Sequence, residues 1–384
     1  MPFQLVATLS GHTDRAWSIA WSPSEPILAS CSTDKTVRLY TYSGEPNQLQ
    51  VRPLSSISTG HSRTLRNIAF SPSGQYLATA SFDATVGIWE RQPASPSSSA
   101  SDSDPASDQG EWECVSTLEG HDSECKSVTW SSTGGLLASC SRDKSVWVWE
   151  VQPEAEFECL SVLMEHTQDV KAVLFHPHEE ILASASYDDT ILLYTDDPQS
   201  DWSPFQTLRG HQGTVWTMAW SPCGRWLASA GEGGEIRIWK RTGQTAEALF
   251  KPAFILPDVH SRTIYSLSWT DTNSLSQPSS ASPSIATASD STTATIQEKT
   301  DERILLGRLA SAGGDGKICS VDSKTQDSFD LTLQACQEDA HGVSDVNTIS
   351  WCPRNLSGSG DEKNTGGSVL ASAGDDWNVK VWVV

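Results

Sequence analysis

The sequence predicts an all-β fold in which seven similar units close into a ring. Three observations support this prediction. A Gly-His pair, or a variant of it, recurs seven times along the chain. Each pair is followed by an aliphatic strand, a Ser/Asp-rich turn and a second strand that ends in an aromatic residue, with the apolar–polar alternation of a half-buried strand. In five units the histidine and the aromatic residue are 28 positions apart, and such a fixed period indicates a repeat architecture.

The first five units share their internal spacing. In four of them a turn aspartate lies six residues before the aromatic, so we expect the same order of strands and turns in each unit. The histidine–aromatic pairs are His12 and Tyr40, His61 and Trp89, His121 and Trp149, His166 and Tyr194, and His211 and Trp239. The four aspartates are Asp34, Asp83, Asp143 and Asp188.

Two further units carry insertions. The span from histidine to the last strand is 61 residues in the sixth unit and 41 in the seventh, which is 28 plus 33 and 28 plus 13. We interpret the extra residues as loops within these units, because the repeat pattern resumes after each of them. The residues concerned are His260, Asp315 and Val321, and His341, Asp376 and Trp382.

This pattern resembles the WD40 repeat over essentially the whole chain. One unit of four short strands cannot bury both faces of its sheet, whereas seven units in a ring cover one another. The resemblance therefore implies a seven-bladed β-propeller formed by residues 1–384 as a single domain. A lone strand, Phe3 to Leu9, precedes the first unit, and Val384 directly follows the last aromatic strand. We expect the N-terminal strand to complete the seventh blade and remove an open sheet edge.

Histidine, serine and aspartate are also the residues of a catalytic triad. Here they recur at the same offsets in every unit, which is implausible for an active site, and no other enzyme motif is present. The resemblance instead implies a buried hydrogen-bond relay in each blade, with departures at Gly233, which replaces Asp, and Val321, which replaces Trp. We predict a protein that is not an enzyme. The relay residues are His12, Asp34, His61, Asp83, Trp89, His121, Asp143, Trp149, His166, Asp188, His211, Trp239, His260, Asp315, His341, Asp376 and Trp382.

The bulk composition limits the classes of partner. The net charge is −22, from 48 acidic and 26 basic residues. Phosphate backbones and anionic lipid surfaces attract basic proteins, so we expect neither nucleic acid nor membrane as a direct partner. No apolar run approaches the roughly 18 residues that suggest a membrane span, and the N-terminus shows no secretory signal pattern.

The nine cysteines are scattered singly, without a Cys-x-x-Cys pair. In a chain without a visible secretory signal, this pattern favours reduced thiols in the cytosol or the nucleus. Zinc or cluster ligation needs several converging thiolates, usually with close sequence spacing. Cys31 and Cys140 instead occupy the same inner-strand position in two units, which indicates a structural role. We therefore predict no bound metal or cofactor.

Three long polar inserts, at about 92–110, 271–303 and 354–367, are predicted to be disordered. Given the order of strands and loops in each unit, these inserts are expected on the face of the propeller opposite the Gly-His loops and the Asp turns. We call the face that carries those loops and turns the top face. The connections on the top face keep nearly constant lengths, whereas the opposite face carries the inserts. A binding site that depends on shape requires such constancy, so the top face is the predicted binding surface.

Two positions per unit should point to the rim of the top face, five residues after the histidine and one before the turn aspartate. Units 2 to 4 place cations there, surrounded by aromatic residues. We expect them to bind an anionic ligand, such as a peptide carboxylate with an aromatic group beside it. The alternative is a set of solvated charges neutralised by Glu124 and Asp169. The predicted binding residues are Arg66, Lys126, Arg142, Lys171, Trp17, Phe82, Tyr187, Trp216 and Tyr265.

Four stretches are more specific than the general repeat. They resemble the WD40 subunit of the cytosolic iron–sulfur protein assembly machinery, including the irregular Glu-His and Asp-Val-His motifs of units 4 and 6. The stretches are "EGHDSECKSVTWSSTGGLLASCSRDKSVWVWE" (119–150), "EHTQDVKAVLFHP…LASASYDDTI" (165–191), "GHQGTVWTMAW" (210–220) and "ILPDVHSRTIYSLSW" (255–269).

The resemblance implies a non-catalytic adaptor of the late-acting targeting complex, located in the cytosol, with the nucleus as an additional location. Its partners would be a small MIP18-type subunit, a HEAT-repeat scaffold, an iron-only-hydrogenase-like carrier and apo iron–sulfur client proteins. The arginine of the "SRDKSVW" turn, Arg142 here, would be a functional surface residue. Some clients or adaptors of this family end in an acidic-aromatic peptide with a free carboxylate. We expect the propeller to be monomeric on its own.

Another WD40 interaction module is the competing interpretation. A ubiquitin-ligase substrate receptor or a reader of histone tails would share the same fold, because fold alone does not define function. Receptors of the cullin-4 type favour a Trp-Asp-x-Arg ending on the third strand, and this chain has "WERQ", "WEVQ" and "WKRT" there.

Overall fold

The computed structural model describes residues 3–92, 111–197, 201–243, 249–270, 304–325, 329–353 and 369–384. The predicted inserts 271–303 and 354–367, and all of 92–110 except residue 92, lie outside the described residues. Within the described ranges there is no α-helix, and hence no helix long and apolar enough to cross a membrane. Two short 3-10 turns are present, at Pro46–Gln48 and Pro153–Ala155.

Seven antiparallel four-stranded sheets form the blades of a β-propeller, which confirms the predicted fold class. Strands a to d of a blade run from the centre of the ring to its edge. The N-terminal strand is β1 (Gln4–Leu9). Blade 1 contains β2 (Ala16–Trp21), β3 (Ile27–Ser32), β4 (Thr36–Ser43) and β5 (Gln50–Ser58). Blade 2 contains β6 (Leu65–Phe70), β7 (Tyr76–Ser81), β8 (Val86–Arg91) and β9 (Trp112–Leu118). Blade 3 contains β10 (Cys125–Trp130), β11 (Leu136–Ser141), β12 (Val146–Val151) and β13 (Phe157–Leu163).

The remaining four blades follow the same order. Blade 4 contains β14 (Val170–Phe175), β15 (Ile181–Ser186), β16 (Thr190–Asp197) and β17 (Asp201–Arg209). Blade 5 contains β18 (Val215–Trp220), β19 (Trp226–Gly231), β20 (Ile236–Thr242) and β21 (Leu249–Leu256). Blade 6 contains β22 (Ile264–Thr270), β23 (Ile304–Gly313), β24 (Ile318–Thr325) and β25 (Phe329–Gln337). A short strand, β26 (Ala340–Val343), precedes blade 7, which contains β27 (Val346–Trp351), β28 (Val369–Gly374) and β29 (Val379–Val383).

The N-terminal strand closes the ring. β1 pairs antiparallel with β29, with Leu5 opposite Trp382 and Leu9 opposite Val379, so blade 7 gains its outer strand from the start of the chain. Leu9 is buried against Val379 and Val381. The predicted closure is therefore confirmed.

The core lies between neighbouring blades, because the second strand of each blade is buried on both faces. β3, β11, β15, β19 and β28 are buried at every position. Val146 and Val148 of blade 3, for example, pack with Val173 and Phe175 of blade 4. These five strands are therefore buried on both faces, unlike the half-buried strands that the apolar–polar alternation of the sequence predicts.

The loop histidines bridge the top loops to the blade interiors. In six blades the ring Nδ1 lies 2.6–3.0 Å from the turn aspartate, and in all seven blades Nε2 lies 2.6–3.0 Å from a Ser or Thr hydroxyl. Four tryptophans donate to the same hydroxyls at 2.8–3.1 Å: Trp89, Trp149, Trp239 and Trp382. This network ties each Gly-His loop to its blade.

The cysteines depart from the expectation in one place. Cys319 of β24 and Cys336 of β25 form a disulfide, whereas the other seven cysteines form none. The prediction of reduced thiols throughout was wrong for this pair. The antiparallel register places the two residues directly opposite each other, which their spacing along the chain does not reveal.

Candidate protein-docking site

The first strand of every blade contains a β-bulge at its top end. In blade 1, for example, Ala16 pairs with Ser32 and Ser18 with Cys31, so Trp17 is the extra residue between them. A bulge leaves its extra residue unpaired and re-aims the side chain. All seven bulged residues line the cavity at the top mouth of the central channel, and we call them the channel-mouth ring. They are Trp17, Arg66, Lys126, Lys171, Trp216, Tyr265 and Asn347.

The cavity at the channel mouth has a volume of about 260 Å³. Besides the channel-mouth ring, it is lined by Arg15, Phe82, Asp345 and Asp375. A second cavity of about 250 Å³ lies towards the rim, and it is lined by Arg142 and Tyr187 together with Lys126 and Lys171 of the channel mouth. The two lysines therefore join the cavities into one surface. The structure brings all nine predicted binding residues together on this surface.

Arg66 is the cation of the ring with the least local compensation. Its guanidinium carbon lies 4.8 Å from the centre of the Trp17 ring, a cation–π contact. Within the described part of the chain, no carboxylate forms an ion pair with it. Burial lowers the pKa of Arg66, although a guanidinium remains charged at neutral pH. A half-buried cation without a protein counterion favours an anionic ligand.

Lys126 is paired and also lies on an aromatic ring. Its Nζ lies 2.6 Å from Glu124 Oε2 and 4.0 Å from the centre of the Phe82 ring. Glu124 also accepts a hydrogen bond from Arg63 at 2.8 Å. Burial opposes the ionisation of Glu124, but Lys126 and Arg63 outweigh it and lower the pKa of this carboxyl. Because Lys126 is itself buried, its own pKa is lowered despite the pairing.

Lys171 and Arg142 differ in how tightly they are held. Lys171 Nζ lies 3.3 Å from Asp169 Oδ2. It also lies 5.3 Å from the centre of the Tyr187 ring and 5.0 Å from the centre of the Trp216 ring. The Arg142 side chain is 59% exposed, and its nearest carboxylate oxygen, on Glu124, is 3.8 Å away. That distance is too long for a hydrogen bond. Arg142 therefore presents a guanidinium that a docked partner can reach.

The opposite wall of the channel mouth is acidic. Asp375 accepts from Asn347 at 2.8 Å and lies 3.3 Å from Arg15, while Asp345 lies 3.4 Å from Arg262. Burial, and then the negative charge of Asp345, raise the pKa of Tyr265. The channel mouth thus has cations from blades 2 to 4 and the carboxylates Asp345 and Asp375 on the side of blade 7, with Trp17, Trp216 and Tyr265 between them. A ligand would experience a charge gradient across this small cavity.

Sequence reasoning named Glu124 and Asp169 as possible counterions, and the structure pairs them with Lys126 and Lys171, but it did not recognise that they belong to a third ring of the site. The residue three positions after the loop histidine also faces the top, which places Arg15, Glu124 and Asp169 beside the channel mouth. Asp345 takes this place in blade 7, which has one extra residue. The same constant offset that revealed the two other rings would have revealed this one. The ion pairs of Lys126 and Lys171 follow from it.

The His–Ser–Asp sets are geometrically triad-like but closed to substrate. Ser30, Ser139 and Ser184, each bonded to a loop histidine, are 0% exposed. A nucleophile must reach its substrate, so these hydroxyls serve as structural links. Among the described residues there is also no group of three or more His, Cys, Asp or Glu side chains placed to hold a metal ion.

Comparison with known proteins places this geometry in a class and then in a family. The repeat described as "WD domain, G-beta repeat" matches residues 3–41, 52–90, 112–150, 157–195 and 202–240. These segments cover about half of the chain, and each contains the outer strand of one blade followed by the first three strands of the next. The fold and the top-face site therefore define a WD40-repeat β-propeller.

The relatives narrow the class further. A protein of Cryptococcus neoformans var. neoformans serotype D, named "Probable cytosolic iron-sulfur protein assembly protein 1", is 43% identical over 99% of this chain and 98% of its own length. Proteins with the same name from Mycosarcoma maydis and Candida dubliniensis are 46% and 33% identical, over 99% of this chain and 92% and 100% of theirs. This chain belongs to the family of cytosolic iron–sulfur protein assembly protein 1.

Proposed function

We propose that this protein is a non-catalytic adaptor of cytosolic iron–sulfur protein assembly, which docks apo client proteins through the channel mouth of its top face. The relatives that match nearly the whole chain are named as cytosolic iron–sulfur protein assembly proteins. Their names support both the process and the cytosolic compartment. The additional nuclear location considered from the sequence gains no support from those names. The remaining argument concerns how the top face would perform this role.

The single observation that supports docking is the environment of Arg66. Its charge lies under Trp17 in a half-buried position, without an ion pair in the described part of the chain. A carboxylate that enters the cavity would form charge-assisted hydrogen bonds with this guanidinium in partly desolvated surroundings. Trp216 and Tyr265, whose ring centres are 5.4 Å apart, offer an edge-to-face aromatic pair beside it.

A client tail with a free carboxylate fits this arrangement. Its terminal carboxylate would bind Arg66, and a terminal aromatic side chain would pack among Trp17, Trp216 and Tyr265. An acidic side chain one residue earlier would reach the rim, where Arg142 is exposed. The carboxylates of blade 7 would repel the acidic tail from the opposite wall and so orient it along one direction.

The other partners that the family resemblance implies would use the rest of the disc. We propose that the MIP18-type subunit, the HEAT-repeat scaffold and the iron-only-hydrogenase-like carrier contact surfaces outside the channel mouth. This arrangement would leave the channel mouth free for client tails. Co-isolation of the MIP18-type subunit with the full-length protein is the expected result in an affinity purification.

A binding assay with a synthetic tail tests the docking site. A fluorescent peptide ending in Leu-Asp-Trp with a free carboxylate should bind the full-length protein, and fluorescence anisotropy measures its affinity. We expect Arg66→Ala, and the double variant Lys126→Glu/Arg142→Glu, to weaken binding at least tenfold, which corresponds to about 1.4 kcal/mol. The same peptide with an amidated C-terminus should bind equally weakly to the wild type and to Arg66→Ala.

A matched control is available at the other end of a blade. Lys251 is exposed near the c–d end of blade 5, opposite Lys240, so Lys251→Ala removes one positive charge away from the top face, as Arg66→Ala does within it. This variant should bind the tail as the wild type does. Unchanged affinity in both top-face variants would refute the docking site.

The acidic wall favours one competing function. Asp345 and Asp375 line the channel mouth and would attract a basic peptide, as a reader of histone tails requires. Both carboxylates already lie near arginines, Arg262 and Arg15 respectively, so their attraction for a ligand is reduced. A lysine-rich peptide that binds more tightly than the acidic tail would support the competing function.

A further inference from the structure

One position per blade governs a site on the side of the disc. Four residues after the turn aspartate, or after Gly233 in blade 5, strand c directs a side chain towards the residue that precedes the loop histidine. In blades 1 and 5 this side chain is an arginine. A Cβ atom on Gly11 would lie 2.7 Å from Arg38 Nη1, and one on Gly210 would lie 2.7 Å from Arg237 Nη1. The chain therefore lays its own guanidinium groups across these two loops.

Three other blades fill the same position differently. In blade 7, Lys380 Nζ donates to the carbonyl oxygen of Ala340 at 2.7 Å. In blade 3, Trp147 covers Gly120, and its ring centre is 5.3 Å from that of His121. In blade 6 the position is Cys319, which is joined to the outer strand by the disulfide. Blade 2 has Gly87 there and a glycine before its histidine.

Blade 4 leaves the site open. The strand residue is Leu192, which is too short to cover the loop, and the residue before His166 is Glu165 instead of a small residue. A cavity of about 350 Å³ results, lined by both of these residues and by Pro204, Phe205 and Arg209 among others. Leu192, Pro204 and Phe205 supply its apolar surface, and the rest of the lining is polar.

The charged side chains of this cavity indicate which class of ligand it would bind. Asp188 is saturated, because its two oxygens already accept from His166, from the backbone of Thr167 and from the hydroxyl of Thr190. Glu165 and Arg209, which both line the cavity, are exposed, and neither forms an ion pair with a described residue. Glu165 is therefore the carboxylate that remains available for a ligand, and Arg209 is a cation that a bound guanidinium has to avoid.

We infer that the side cavity of blade 4 binds an arginine side chain presented by a partner protein. The guanidinium would pair with Glu165, and the aliphatic stem would pack against Leu192, Phe205 and Pro204, as long basic side chains do on apolar surfaces. The partner would thereby supply to blade 4 what Arg38 and Arg237 supply to blades 1 and 5. The site is separate from the channel mouth, so it serves a second partner at the same time.

Nuclear magnetic resonance on the full-length protein with labelled leucine methyl groups tests this inference. The probe is N-acetyl-L-arginine N-methylamide, and the neutral citrulline analogue is its control. We expect a saturable shift of the Leu192 methyl signals with the arginine probe, with a dissociation constant on the order of millimolar for so small a ligand. The citrulline analogue should give no saturable shift, because it lacks the charge.

Variants locate the interaction. Glu165→Gln should weaken binding of the probe at least fivefold, whereas Glu180→Gln, at an exposed acidic residue of the same blade, should not. Leu192→Arg should occupy the cavity from within and abolish binding, which can then be followed through a label on Phe205. Glu165 is exposed, so Glu165→Gln should fold like the wild type. The test therefore does not depend on whether Leu192→Arg folds.

Three results would overturn the inference. They are the absence of a saturable Leu192 shift with the arginine probe, equal binding of the citrulline analogue, and unchanged binding by Glu165→Gln. The lysine analogue distinguishes a guanidinium site from a general cation site, and equal affinity for it would refute the preference for arginine. Arg66→Ala should leave the shifts unchanged, so failure of the client-docking site would be recognised separately.

Discussion

Among the seven loop histidines, all of which the structure describes, His211 alone has no carboxylate at Nδ1. Gly233 occupies the place of the turn aspartate, and Ser229 remains the hydroxyl partner at 2.7 Å. Burial, and then the charge of Arg237, lower the pKa of His211 to about 4. In the six other blades the turn aspartate is present, and its pKa is lowered. Burial alone would raise the pKa of the Asp143 carboxyl, for instance, but hydrogen bonds from His121 and Ser145 lower it.

His211 should make the protein sensitive to mild acid. An unfolded histidine has a pKa of about 6.5, so between that pH and about 4 the unfolded chain binds a proton that the folded chain does not. Stability is therefore lost as the pH falls through this range. The expected loss from His211 between pH 7 and pH 5 is about 2 kcal/mol. Denaturant unfolding at the two pH values measures it.

Gly233→Asp should reduce this loss, because the new carboxylate stabilises the protonated form of His211. A Cβ at Gly233 would meet Glu235 no closer than 3.6 Å, so the substitution has room. Gly135→Asp adds the same charge to an exposed turn in blade 3 and should leave the pH dependence as in the wild type. Equal losses in the wild type and Gly233→Asp would contradict the assignment to His211.

At the scale of the element, each blade combines a bulged inner strand with a relay, and blade 6 departs most. It has Val321 in place of the tryptophan and joins its two outer strands through Cys319 and Cys336. The cross-strand bond ties the outer edge of this blade, whereas other blades rely on backbone pairing there. Sequence reasoning recognised the lost tryptophan but not the bond.

A count of thiols tests the disulfide. In denatured protein purified without reductant, alkylation followed by mass spectrometry should modify seven cysteines, and reduction beforehand should raise the count to nine. Cys336→Ser should make the two counts equal, because Cys319 then has no partner. Cys114→Ser removes an exposed free cysteine and should preserve the difference of two. Equal counts in the wild type would show that the pair is reduced.

At the scale of the whole molecule, the two ends of the chain hold the ring closed. β1 supplies the outer strand of blade 7, so every blade-to-blade interface is retained around the circle. Leu9 anchors this closure in the core, whereas Leu5 on the same strand is 46% exposed. The stability of the disc should therefore depend on Leu9 far more than on Leu5.

Leu9→Ala should lower the free energy of unfolding by about 2–4 kcal/mol, since it leaves a cavity against Val379 and Val381. Leu5→Ala should change it by less than about 0.5 kcal/mol, as expected for a surface substitution. Urea unfolding followed by tryptophan fluorescence compares the two. Similar effects of both substitutions would mean that β1 contributes little to ring closure.

The sequence by itself determined the number of blades, their strand order and the closure by the N-terminal strand. These features follow from constant offsets along the chain, which local strand and turn preferences impose on each unit. It also indicated which residues face the top, because the offset from the loop histidine is the same in each blade. Arg66, Lys126 and Lys171 occupy this offset in three consecutive blades. The sequence therefore also predicted that they are neighbours around the ring.

The sequence named Glu124 and Asp169 as possible counterions, but only the tertiary structure decided which cations they pair with. The bulges turn them towards one cavity, Glu124 and Asp169 neutralise the two lysines, and Arg66 is left without an ion pair among the described residues. The Cys319 bond and the open side cavity at Leu192 also depend on residues from different strands. Such contacts arise from distances across strands and blades, which spacing along the chain does not determine.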